Sequence, residues 1–147
     1  MFNNSHLVEL LQKVLIVEII EIEKHPNADR LSLVTVSFGS NPESRDINGL
    51  FLQNNIYLKK VITGATNIKI GDLVPFLYSG SIIPGTYVFE NRKVLLQPKN
   101  LRGIVSDSMI LSEFELGIGK DNTGIYVLPE NAKEFVGSSI LKFFNHQ

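Results

Sequence analysis

The chain has 147 residues, enough for one domain with its own core, and its 44% hydrophobic and 20% charged content is ordinary for a globular protein. A net charge of −1 excludes binding to nucleic acid by bulk positive charge, so any such role needs a local basic face or help from neighbouring domains. Cysteine is absent, which excludes a disulfide framework, a zinc ribbon and a thiol nucleophile and is compatible with the cytosol.

Met1–His6 is polar, and the apolar stretch from Val14 to Ile22 is broken by Glu18 and Glu21. No signal peptide is evident, and that stretch is too short to span a bilayer. Leu7, Leu10 and Leu11 fall on one face and predict a short helix over 7–12. Residues 14–23 are rich in Val and Ile and read as a strand, with a bulge or barrel rim expected at Glu18. His25-Pro26-Asn27-Ala28-Asp29 reads as a turn, because Pro26 cannot donate to a ladder and Asn27 and Asp29 favour turn geometry.

The second strand is expected over 31–38. Residues 39–55 read as a long hairpin connection or insertion, marked by Asn41-Pro42, Asn48-Gly49 and Asn54-Asn55, with Leu50-Phe51-Leu52 pinning its middle to the body. Further strands are expected over 56–62 and 73–78. A turn follows over 80–85, then a small hairpin around Asn91 formed by Val88-Phe89 and Val94-Leu95-Leu96. Extended structure is expected over 104–111, one helical turn over 113–116 stopped by Gly117, a strand over 124–128 and a closing helix over 136–144. Many short strands with Gly and Pro turns predict a mainly β protein, a closed or partly closed barrel.

No catalytic constellation is present: there is no phosphate-binding G-x-x-x-x-G-K-[ST] loop, no G-x-S-x-G elbow and no H-E-x-x-H. His6, His25 and His146 are scattered, with no metal-ligand spacing. Glu113 and Glu115 lie two apart on one helical turn and do not face each other, so capping is expected of them rather than acid/base work.

Three segments carry a resemblance. The first is Glu21-Ile22-Glu23-Lys24-His25-Pro26-Asn27-Ala28-Asp29-Arg30-Leu31. The second is Val61-Ile62-Thr63-Gly64-Ala65-Thr66-Asn67-Ile68, followed by Gly71, Val74-Pro75, Gly80 and Pro84. The third is Leu101-Arg102-Gly103-Ile104-Val105-Ser106-Asp107-Ser108-Met109, followed by Ser112-Glu113-Phe114-Glu115-Leu116-Gly117. In this order they resemble the tRNA-binding domain family, in the form found at the front of bacterial phenylalanyl-tRNA synthetase β chains. Ser108 stands where that family usually has Gly, Thr63 where it often has Cys, and the 39–55 segment is longer than the usual hairpin.

The resemblance implies a single OB-fold-type, five-stranded barrel over 1–147, with added hairpins and short flanking helices. Its core would run from about 14 to 142, with 1–13 as an N-terminal extension. It implies a tRNA-binding accessory role, with tRNA-Phe, the synthetase α subunit and the rest of the β subunit as partners in a cytoplasmic α2β2 assembly. ATP and magnesium are implied for the full synthetase and no cofactor for this domain. The alternatives are a standalone dimeric tRNA-binding protein and a chaperone-like protein-interaction barrel without RNA binding.

The candidate tRNA-binding residues are Asn27, Arg30, Lys60, Asn67, Lys69, Lys99, Arg102, Ser106 and Met109, with no catalytic and no metal residues. Asn27 and Arg30 lie in one of the two loops that OB-folds commonly use on oligonucleotides. Asn67 either reads a base edge or bonds its own backbone. Lys59, Lys60 and Lys69, and Arg92, Lys93, Lys99 and Arg102, form basic clusters able to cover phosphates. Tyr57, Tyr78, Tyr87 and Phe89 are candidates for base stacking. His25 and Asp29 are read as rim packing and turn capping.

Overall fold

A computed structural model describes residues 5–147 of the chain. Its sheet has six antiparallel strands: β1 (Leu15–Lys24), β2 (Ser32–Ser37), β3 (Phe51–Gln53), β4 (Ile56–Thr63), β5 (Leu73–Tyr78) and β8 (Ser108–Ile110). They lie in the order β3-β4-β2-β1-β5-β8, and β6 (Lys99–Leu101) and β7 (Ile104–Ser106) form a separate hairpin. The sheet curls so that β4 and β8 pack together. It is not closed, because no ladder joins them.

The start of β1 is buried on both faces. Val17 and Ile19 join Val34, Val36, Phe38, Val61, Val74, Phe76 and Ile110 inside the curled sheet, where Phe38 and Phe76 meet edge-to-face at 4.9 Å. Ile16 points the other way, into a second cluster beneath helices α1 (Ser5–Leu11) and α4 (Ile140–Phe144). Double burial explains the unbroken apolar run there. Alternation sets in only beyond the bulge, which falls between Ile19 and Glu21 rather than at Glu18.

Local signals fixed several elements. Helix α3 (Glu113–Leu116) carries a complete capping box: Ser112 Oγ accepts from the Glu115 N–H, and the Glu115 carboxylate accepts from the Ser112 N–H. Gly117 ends it with φ 82°. The closing helix is shorter than expected, with Ser139 at its N-cap and a 3₁₀ turn, Glu130–Phe135, before it.

Other expectations are corrected. Val88-Phe89 and Val94–Leu96 do not pair. Residues 84–90 form helix α2 (Pro84–Glu90), opened by Pro84 and closed by left-handed Asn91 at φ 53°. Its composition is poor for a helix, and packing decides the matter. Phe89 stacks on Phe114 at 5.3 Å, and a Cβ on Gly85 would overlap the Phe114 carbonyl oxygen. Val94 and Leu96 instead bond the backbone at Gly80, Ser81 and Ile83.

The 104–111 segment breaks at Asp107 into β7 and β8, and 124–128 makes only isolated bridges through Ile125 and Leu128. In the 39–55 segment Ile47 is buried and Leu50 packs against the same core cluster as expected, whereas Phe51 and Leu52 are exposed.

Candidate nucleic-acid interface

The β1–β2 turn and the tip of the β6–β7 hairpin clasp each other. His25 is buried, and its Nδ1 accepts the Asn27 N–H at 3.0 Å. The ring hydrogen therefore sits on Nε2, which donates to the Leu101 carbonyl at 3.0 Å. Asn27 Nδ2 donates to the Arg102 carbonyl at 3.3 Å. Between the two elements lies an open groove of about 610 Å³, lined among others by Asn27, Arg30, Asn100 and Arg102.

The hairpin turn is Arg102-Gly103, with φ of 54° and 96°. Positive φ at both positions defines a two-residue turn of type I′, which favours Asn-Gly. Gly103 meets that demand freely and Arg102 does not. The turn is held by Asn100, whose Oδ1 accepts the Gly103 N–H at 2.8 Å, and by the Asn27 bond to Arg102.

The root of the same hairpin is fixed differently. Lys59, on β4, reaches Asp107 at 2.8 Å with side chains only 6% and 11% exposed. Lys59 Nζ also donates to the Asn48 carbonyl at 2.6 Å, and Asn48 Nδ2 donates to the second Asp107 oxygen at 3.2 Å. The 39–50 loop thus seals a buried ion pair that bridges β4 to the chain entering β8, where no ladder runs. Lys59 belongs to the interior and not to the surface basic cluster expected of it.

The far end of that loop is pinned by Glu43, which pairs with Lys142 at 2.9 Å and accepts the Ser139 N–H at 2.8 Å. Burial raises the Glu43 pKa. The Lys142 hydrogen bond, the Ser139 N–H and the Lys142 charge outweigh it and hold the carboxyl below its ordinary value.

Of the nine candidate residues, the fold brings Asn27, Arg30 and Arg102 to the groove, with Lys99 and Ser106 opposite each other on the same hairpin. Lys60 lies on the outer sheet face, 3.4 Å from Glu23. Lys69 pairs with Asp72 at 3.2 Å. Met109 lines a separate groove of about 370 Å³ beside Gly64 and Gly124. Asn67 neither stands free nor bonds its own backbone. Its amide takes the Ile125 N–H and gives to the Ile125 carbonyl, both at 3.0 Å.

The aromatic candidates all have partners within the chain: Arg45 over Tyr57, Phe76 beside Tyr78, His6 beside Tyr87 and Phe114 beside Phe89. Asp29 is almost fully exposed and pairs with Lys24 at 3.7 Å. The contributions of Asn100 and His25 to the clasp, and of Asp107 to the hairpin root, are not visible in the sequence, because their partners lie far along the chain or depend on backbone conformation.

Ion pairs engage Lys24, Lys59, Lys60, Lys69, Arg92 and Lys142. Among the described residues no carboxylate pairs with Arg30, Lys99 or Arg102, and all three are exposed. Arg30 and Arg102 line the groove together with Asp29, whose carboxylate pairs with Lys24, and Lys99 stands on the same hairpin, so the clasp carries a local excess of positive charge on a chain of net charge −1.

Comparison with known proteins places the fold first. The MetRS related protein from Pyrococcus horikoshii superposes with a TM-score of 0.51 at 15% identity, over 94% of this chain and 95% of that one. An RNA ligase of Naegleria gruberi superposes with a TM-score of 0.50 at 16% identity, over 91% of this chain and 34% of the ligase. Both likenesses concern fold alone.

Sequence similarity is narrower in kind. The chain is 35% identical over 144 residues to the phenylalanine–tRNA ligase beta subunit of Dehalococcoides mccartyi, 94% of this chain and 16% of that subunit. It is 37% identical over 118 residues to the subunit of Syntrophus aciditrophicus, 80% of this chain and 12% of that one. It is 32% identical over 133 residues to that of Neisseria meningitidis, 90% of this chain and 14% of the subunit. The chain therefore spans about a sixth or less of these relatives. No protein-family model matches it, and no described helix is long and apolar enough to cross a membrane.

Proposed function

We propose that this chain is a tRNA-binding domain of a phenylalanine–tRNA ligase β subunit, and that the clasp between the β1–β2 turn and the β6–β7 hairpin is its tRNA contact. The observation that carries the reading is the convergence of Arg30, Lys99 and Arg102, none paired with a carboxylate among the described residues, on the two loops an OB-type barrel offers to oligonucleotides. The order of β4, β2, β1, β5 and β8 around a curled, unclosed sheet fits that kind of barrel.

The role is to add contact area and orientation for tRNA within a cytoplasmic α2β2 ligase. Ligation of phenylalanine itself belongs elsewhere. On this reading the ATP and magnesium of the full reaction belong to other parts of the enzyme.

Anisotropy of labelled, unfractionated tRNA at two salt concentrations tests this. Salt-sensitive binding should weaken about tenfold or more in Lys99→Ala/Arg102→Ala, since every phosphate left without its cation gives up a salt-dependent increment of affinity. No binding by the unaltered chain at low salt rejects the reading. It would favour a protein-interaction role, for which the groove holding exposed Ile20, Phe51 and Ile56 on the outer sheet face is the specific support.

A further inference from the structure

We infer that Asn48, Lys59 and Asp107 are positioning residues for RNA: they set where the β6–β7 hairpin stands over the β1–β2 turn and touch no RNA themselves. The inference rests on the tRNA-binding reading and adds what holds that site in its binding geometry.

The hairpin shares no ladder with the main sheet. β6 and β7 pair only with each other, so their orientation depends on the points where the chain enters and leaves. The entering chain is held at Leu96, whose N–H donates to the Ser81 carbonyl at 2.8 Å. The leaving chain is held at Asp107, which is fixed from two sides. Its backbone carbonyl accepts the Ser79 N–H at 2.9 Å, just past the end of β5. Its carboxylate takes the Lys59 ammonium from β4 at 2.8 Å and the Asn48 amide at 3.2 Å. Lys59 completes the triangle by donating to the Asn48 carbonyl at 2.6 Å. The groove of the clasp is lined by other residues.

Distance gives the root leverage. Arg102 stands five residues before Asp107, roughly 17 Å along an extended strand. A tilt of about 10° at the root therefore carries the tip about 3 Å, on the order of a whole hydrogen-bond length. The tip bonds joining His25 to Leu101 and Asn27 to Arg102 are 3.0 and 3.3 Å long. Such a tilt opens both and carries the Arg102 guanidinium away from Arg30.

A charged lock suits position better than stability. A buried ion pair adds little over an apolar pair of the same size, because both ions lose their water. What it supplies is direction, since charge-assisted hydrogen bonds hold one geometry. The loop is fitted closely to it: Gly49, at φ 87°, passes so near that a Cβ there would lie 2.9 Å from Lys59 Nζ. Glu43 ties the other end of the loop to Lys142 and the Ser139 N–H, so Asn48 reaches the root from a fixed base.

Lys59→Met/Asp107→Leu removes the lock without changing net charge, so long-range attraction of RNA is kept. Asn48→Ala, at an exposed loop position, loosens it more gently. Thermal melting is followed beside anisotropy of labelled, unfractionated tRNA at one low salt concentration. Both variants should melt cooperatively, with binding about fivefold weaker in the paired variant and about threefold weaker in Asn48→Ala. In a Lys99→Ala/Arg102→Ala background the same changes should weaken binding by less than about twofold, because a positioning residue acts only through the cations it places. A lock that serves folding alone gives the same factor in both backgrounds.

Unchanged affinity in the paired variant, or an equal loss in the two backgrounds, overturns the inference and leaves the tRNA-binding reading standing. If the paired variant does not fold, the same two results in Asn48→Ala decide the matter. Absence of binding by the unaltered chain overturns both.

Discussion

The β6–β7 hairpin is fastened at its two ends by opposite kinds of chemistry. At the root, Lys59 and Asp107 form an ion pair shut away from water, with Asn48 filling the remaining Asp107 oxygen. At the tip, the fastening is neutral: a tautomer-fixed His25 and the amide of Asn27, both bonded to backbone carbonyls. A buried charge pair resists the removal of either partner, because the survivor is stranded in a poor solvent. A neutral bond at an exposed tip costs little to open and re-form. The hairpin is thus an arm with a stiff shoulder and a compliant hand. Arg102 lies at the hand, whereas Lys99, opposite Ser106, lies nearer the shoulder.

The comparison is broken most severely at the root. Asp107→Ala should cost about 3–5 kcal/mol by leaving the Lys59 ammonium buried and unpaired. Urea denaturation measures this. The paired change Lys59→Met/Asp107→Leu should recover most of the loss, and if it does not, the cost lies in packing and not in the stranded charge.

At the tip, His25→Ala should cost about 1–3 kcal/mol, since the Leu101 carbonyl and the Asn27 N–H are both left without a partner in a part-buried setting. Asn27→Ala should cost about 0.5–1 kcal/mol, its bond being exposed. A double-mutant cycle between them should show coupling, because both changes loosen the same clasp.

The smallest effect concerns the loop that seals the root. Glu43 has a lowered pKa in the folded chain, so its pairing contributes stability above the unfolded carboxyl value, 4.5 by reference. That contribution is lost as pH falls through the lower folded value. The protection of the 39–50 amides, relative to intrinsic exchange at each pH, should therefore fall on acidification below about pH 4.5, and Lys142→Met should blunt the change.

Local chemistry was legible in the sequence and long-range chemistry was not. Helix α3 could be read because Ser112, Glu115 and Gly117 act on backbone groups within a few residues. Strand β5 was legible between its flanking turns. Helix α2 was hidden because Tyr87, Val88 and Phe89 are residues that favour strands, and only packing against Phe114 makes them helical.

The basic cluster was half legible. Lys59 and Lys60 are neighbours on one strand, so alternation sends one inward and one outward. Which one is buried depends on Asp107 and Asn48, which no spacing announces. The clasp has the same character: His25 and Leu101 lie 76 residues apart. The proline and asparagine that mark the turn say nothing of what the turn will meet.

The most direct test of the clasp as the RNA contact is the footprint of tRNA on the isotope-labelled chain, followed as amide shifts at low salt. The shifts should gather on 26–31 and 99–106, with Arg30, Lys99 and Arg102 at their centre. The outer sheet face around Phe51 and Lys60 should stay still. Shifts centred on that face, with the hairpin tip unmoved, would contradict the assignment of RNA contact to the clasp.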